Sequence, residues 1–205
     1  SGSNPAVVFT ADSADGNYTL TVEGPTALDG TDSLYLTNSV CKMSSVTMGG
    51  DVGIVNSVSD FHNSSLTGTT DVTDSTLTAV RTLFDTLPLT DSHCTVKNST
   101  VLELTPTNSS VVSYHSEIDG DIVGTSNSAV WLHNSRVSGD TTMSSGSSMV
   151  GSSSTLEGSG SADAGFIGIY GGVFDSVTTA NRGLALAFGS SVGSIDGAVD
   201  TEGNV

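Results

Sequence analysis

The sequence predicts an all-β chain wound as a parallel β-helix, a solenoid of about nine coils of 17–20 residues with three short strand faces. Three observations predict it. First, aliphatics recur at a fixed step: Val40, Val58, Leu77, Cys94, Val111, Val130, Met149, Ile167 or Ile169, and Leu186. Second, a companion set follows six to nine residues behind: Val46, Leu66, Leu83, Val101, Ile118, Val137, Leu156, Val177 and Ile195. Third, Ser116-Glu-Ile118-Asp-Gly120 returns as Ser135-Arg-Val137-Ser-Gly139 and Ser154-Thr-Leu156-Glu-Gly158, 19 residues apart at each position. A unit this short cannot bury its own apolar face, so its copies must stack.

Within a unit the spacing is that of strands. Val130 and Leu132 fall on one face and Trp131 and His133 on the other, the period of two that a pleat imposes. Asn98, His115, Asn134 and Ser153 each precede a core aliphatic by three residues; such residues tolerate tight corners, so their column reads as a corner ladder. A sparser third set, Val52, Val72, Ile122, Met143 and Val199, supplies the third side. Ser, Thr, Gly, Asn and Asp dominate and resist helix interiors. Helical spacing occurs in Leu77–Leu87, ahead of Pro88, and this stretch reads as one irregular coil or loop-out.

Residues 34–205 form the solenoid in this reading, irregular at 78–90 and 160–189. Residues 1–33 lie outside the repeat. There Ala6–Thr10 and Tyr18–Val22 flank Asp12-Ser-Ala-Asp-Gly16 and read as a hairpin that caps the first coil. Ser1-Gly2-Ser3, with no initiator Met, reads as a cloning remnant, and the end at Val205 without a polar cap reads as a cut from a longer chain.

The formal charge is −17, from 22 acidic and 5 basic residues, which opposes nucleic-acid binding through phosphate contacts. No apolar run is long enough for a membrane-spanning helix, and no signal peptide is legible. Cys41 and Cys94 fall three coils apart, roughly 14 Å along the axis, beyond the reach of a disulfide. Asp12-Ser-Ala-Asp and Asp29-Gly-Thr-Asp32 lack the full spacing of a calcium loop, so neither metal nor cofactor is expected.

The stacked Asn/Asp-Ser-x-aliphatic coils from about residue 34 to 200, in a Ser/Thr/Gly-rich and Lys-poor chain, resemble the β-helical parts of tailed-bacteriophage tailspikes and tail fibres. Bacterial adhesins, polysaccharide lyases and some ice-binding proteins use similar coils, the last with a regular Thr-x-Thr ladder that does not repeat here. The phage resemblance implies a parallel homotrimer in a virion tail, alongside other tail or baseplate proteins, with host cell-surface polysaccharide as the ligand. Close subunit contact is then expected at the Gly-interleaved Ala164–Phe174, through Phe166, Tyr170 and Phe174.

Adding one coil predicts neighbours: Lys97 beside Tyr114, Tyr114 beside His133, Val112 beside Trp131, and Glu117 beside Arg136. By strand parity Tyr114, Trp131, His133, Glu117 and Arg136 point outward, a set suited to stacking on sugar rings and bonding their hydroxyls. Glu117, Asp119 and Asp121 form an acidic run near His115 and are the catalytic candidates, since glycoside hydrolysis needs two carboxylates at a defined separation. No nucleophile elbow, zinc motif or phosphate-binding loop is present. The expected function is thus structural and receptor-binding, with a polysaccharide depolymerase or a surface adhesin as alternatives.

Overall fold

The computed structural model describes residues 18–28, 34–196 and 199–200. They form a parallel β-solenoid of about nine turns with no helix among the described residues. Each strand pairs in parallel with the equivalent strand one coil before and one coil after. The register is 18 residues from Val40 to Val58, 17 from Leu77 to Cys94 and from Cys94 to Val111, 19 from Val111 to Val130 and from Val130 to Met149, then 18 again from Met149 to Ile167. Tyr18–Leu28 also lies in parallel, against Ser39–Met48, with its backbone adding a rung. The other arm of the expected hairpin, Ala6–Thr10, lies outside the described residues.

The first side runs through Ser39–Ser44, Val58–His62, Thr76–Val80, His93–Lys97, Ser110–Tyr114, Ala129–His133, Ser148–Ser152, Phe166–Tyr170 and Leu184–Phe188. One of its two inward columns is Cys41, Ser59, Leu77, Cys94, Val111, Val130, Met149, Ile167 and Ala185. In the first two coils, and again in the last, where Ala185 stands in place of Leu186, the expected column is therefore displaced by one residue. Val58 is 47% exposed, while Cys41 and Ser59 are fully buried. Strand alternation outweighs side-chain polarity here, because a one-residue slip would turn every other side chain of the strand around.

The second side is lined inside by Met48, Leu66, Phe84, Val101, Ile118, Val137, Leu156 and Phe174, so Phe84 takes the place expected for Leu83 and Phe174 that of Val177. The third side contributes a pair of inward columns, among them Leu87, Leu104 and Ile122 in one and Leu36, Ile54, Val72 and Leu89 in the other. One outward column of this side runs in threonine, Thr73, Thr90, Thr107 and Thr125. The residues two positions earlier are Asp71, Pro88, Thr105 and Val123, so only one coil has the doubled Thr-x-Thr rank.

Two stretches expected to be irregular are regular. Thr76–Val80 and Leu83–Thr90 are strands, with Leu77, Ala79, Phe84, Leu87 and Leu89 buried. The helical spacing there arises because a corner at Arg81 separates two period-two runs. Residues 160–189 likewise keep the stacking register, and the glycines admit neighbouring side chains: the Phe166 ring covers Gly168 and the Phe174 ring approaches Gly160.

Corners are built by a repeated dipeptide. Two columns of non-glycine residues adopt positive φ: Asn38, Asn56, Asp74, Asp91 and Asn108 at one corner, and Ser45, Asn63, Arg81, Asn98, His115, Asn134 and Ser153 at the next. Asn and Asp tolerate this left-handed conformation best. Along the first of these corners side-chain amides also bond between coils, Asn56 Nδ2 donating to Asn38 Oδ1 and Asn108 Nδ2 to Asp91 Oδ1.

Most of these residues precede a buried Ser. Ser57 Oγ donates to Val55 O at 2.7 Å and accepts the Ser39 N–H at 3.0 Å; Ser75, Ser92, Ser109, Ser128 and Ser147 accept from the preceding Ser in the same way. At the other corner Ser99, Ser116, Ser135 and Ser154 accept from Thr82, Ser99, Ser116 and Ser135. The hydroxyl thus supplies the backbone partner that a chain turning a buried corner lacks, and a buried amide left unpaired costs about 1–3 kcal/mol. Three other buried hydroxyls, Ser59, Thr70 and Thr141, have no partner among the described residues.

Cys41 and Cys94 share a column with Ser59 and Leu77 between them and are free thiols. Burial pushes both thiols up to about 12, with the charge of Asp60 adding to the effect at Cys41, so neither is a nucleophile.

Candidate functional site

The corner between the first and second sides brings hollowed surface together with Arg81 and Arg136, and the stacked Tyr114 and His133 rings stand beside it. Three outward columns meet there. The edge of the first side carries Ser44, His62, Val80, Lys97, Tyr114, His133, Ser152 and Tyr170. The left-handed corner residues come next, and the second side opens with Thr47, Ser65, Leu83, Thr100, Glu117, Arg136 and Thr155. The chain turns through φ near +50° at this corner. Two hollows of about 630 and 510 Å³ follow it and share Asn98 and Thr100, so they form one groove. The groove is lined by Asn63, Asn98, His115 and Asn134 with the flanking Ser and Thr residues; carbon atoms dominate the exposed lining around Arg81, and polar atoms slightly exceed them around Arg136. From the Asn63 coil to the Ser153 coil it spans five strand spacings, roughly 24 Å.

All four predicted neighbour pairs are in register. The rings of Tyr114 and His133 stack at 5.0 Å with an interplanar angle of 13° on the edge of the first side, one residue before the groove-lining His115 and Asn134. Arg136 lies across the groove beside Glu117, and both line it. Arg136 also bonds Glu157, through Nε at 2.8 Å and Nη2 at 2.6 Å. This second carboxylate sits diagonally, 21 residues on, where stepping by one coil does not look. The hydrogen bond from Arg136 holds the Glu157 carboxyl below its usual range. All three side chains are solvent-exposed, so the triad fixes side-chain geometry more than it stabilises the fold.

Trp131 faces outward but stands in the middle column of the first side, between Val112 and Val150, and does not line the groove. It belongs to a different surface. From Ser110 to Phe188 the outward positions of this side carry no charged residue and include Val112, Ala129, Val150, Phe166, Tyr170, Leu184 and Phe188. Tyr170 stacks on Phe188 at 5.2 Å. Of the three residues expected at a subunit contact, Phe166 and Tyr170 point outward here, but Phe174 is 3% exposed. Strand parity after the corner Gly171-Gly172 turns it into the core beneath Leu156.

The acidic run divides by role. Asp121 Oδ1 accepts the Asp140 N–H at 2.7 Å, as Asp140 Oδ1 accepts that of Ser159, capping the corner between the second and third sides. Asp119 Oδ1 accepts the Ser138 hydroxyl at 2.8 Å. Glu117 is held by Arg136. Neither Asp119 nor Asp121 lines the groove, so these carboxylates do not converge with Glu117 on a shared hollow. No cluster of metal-ligating side chains occurs among the described residues. Comparison with protein-family models, with curated proteins and with solved structures found no match.

Proposed function

We propose that this chain is a rigid receptor-binding module, a segment of a phage tail fibre or tailspike whose corner groove holds a host-surface glycan. The single observation that carries this reading is the groove itself, lined by Asn, Ser and Thr residues, with the stacked Tyr114–His133 pair on the strand edge beside it. Sugars present hydroxyls on their edges and apolar C–H faces, and a hydroxyl-and-amide lining beside an exposed ring pair matches both. A depolymerase role is less well supported, because the carboxylates it would need are spread over a corner cap, a Ser contact and an arginine pair. On an array of bacterial surface polysaccharides the protein is expected to bind at least one glycan. Tyr114→Ala should weaken that binding about fivefold to tenfold, the scale of one aromatic contact. Unchanged binding by the variant, or release of new reducing ends by the parent protein, would contradict the assignment.

The charge-free half of the first side, apart from its Tyr114–His133 edge, is proposed as the surface where three copies meet. Copies each carrying −17 repel, and this face brings no like charges together. Sedimentation equilibrium at micromolar concentration is expected to give a trimer; a stable monomer would remove the homotrimer from the account.

A further inference from the structure

Charge is distributed unevenly in this molecule. Twenty-two carboxylates and five cationic side chains are spread along the chain, yet Arg81, Lys97 and Arg136 all stand on the groove corner. Three of the four histidines, His62, His115 and His133, share it. Each coil from His62 to Arg136 thus brings a basic or imidazole group to the same edge, at a repeat of roughly 4.8 Å. Glu117 is the one carboxylate on the three outward columns, and it is engaged by Arg136. The Arg81 side chain donates to Asn63 Oδ1 at 3.4 Å, and neither it nor Lys97 enters an ion pair among the described residues. Arg81 lines the groove, and Lys97 stands one coil on at the strand edge beside it, next to the groove-lining Asn98; two uncompensated cations so close in a strongly acidic chain mark a position for an anion.

We propose that the groove takes a linear acidic polysaccharide, its carboxylate groups facing Arg81 and Lys97 and its sugar rings resting toward the Tyr114–His133 pair on the neighbouring strand edge. This rests on the glycan-binding reading and narrows it to a charge class. A nucleic acid fits less well: double-stranded DNA carries one charge per about 1.7 Å, far denser than one basic group per coil, and the rest of the surface repels it. A sparsely charged, hydroxyl-rich chain matches both the spacing and the Asn, Ser and Thr lining.

The test compares polygalacturonate, dextran and single-stranded DNA of matched length, each titrated against the intact protein by interferometry at low and high salt. Polygalacturonate is expected to bind, and to weaken as salt rises. The double variant Arg81→Asn with Lys97→Gln should lower that affinity about tenfold or more. Asn is the residue that already turns this corner at positions 63 and 98, so the fold is kept. Lys42→Gln, outside the groove, should change nothing. Equal binding of dextran and polygalacturonate with no effect of the double variant would overturn the acidic class and leave glycan binding standing. Tighter binding of DNA would overturn it in favour of a nucleic acid. No binding to any polysaccharide, here or on the array, would remove both readings.

Discussion

Gly139→Ala is expected to destabilise the protein by about 3 kcal/mol, the upper end of ordinary overpacking costs. The position lies at the corner between the second and third sides, in a column with Gly120 and Gly158. A Cβ on Gly139 would stand 2.3 Å from the carbonyl carbon of Gly120 and 2.4 Å from its oxygen. These are backbone atoms of the coil below, held by their own ladder, and cannot swing aside as a side chain would. Gly158 meets the Gly139 oxygen at 2.2 Å in the same way, so relaxation at one coil transfers to the next. Denaturant unfolding should show the midpoint falling with the slope retained. By contrast, Gly171→Ala, where nothing lies within 4 Å of the added carbon, should cost only the strain of a positive φ. Equal stabilities of Gly139→Ala and the parent protein would contradict the corner geometry.

Phe84→Ala is expected to cost about 3–5 kcal/mol, the range for removing a fully buried aromatic. Phe84 is 0% exposed, stacks between Leu66 and Val101, and meets the Phe61 ring at 6.3 Å across the interior. The interior of a three-sided solenoid is narrow, and its walls are tied by continuous ladders, so the void cannot collapse. Leu83→Ala beside it offers a contrast, since Leu83 points outward onto the groove and its loss should cost well under half as much. Thermal or chemical denaturation reads both. A larger loss for Leu83→Ala than for Phe84→Ala would mean that the strand is turned over.

The solenoid was legible in the sequence because its repeat is almost unbroken between Cys94 and Leu156, and there the expected first and second columns agree residue for residue. Outward pairs followed by arithmetic: Tyr114 with His133, and Glu117 with Arg136. The first two coils misled because Val40 and Val58 look like core while Ser59 fills the interior. Phe174 misled for the same reason, since parity is reset at each corner and an aromatic among glycines reads equally well as interior or contact. Glu157 escaped because its bond to Arg136 is diagonal rather than in register. The corner serines were repeated in plain view after each Asn, Asp or His, but their buried bonding pattern depends on the coil above. The groove was not legible at all: it lies along a corner and needs the register of three columns at once.

The central claim is that residues one coil apart stand side by side and so assemble the groove. Pairing Tyr114→Cys with His133→Cys tests it most directly, since adjacent parallel strands lie about 4.8 Å apart and a disulfide spans Cα separations of about 4.4–6.8 Å. The resident thiols, Cys41 and Cys94, are buried and stay silent. Under mild oxidation the account predicts a rapid intramolecular disulfide in this pair and none between Tyr114→Cys and Ser152→Cys, two coils apart. Failure of the first pair to close, or preferential closure of the second, would contradict it.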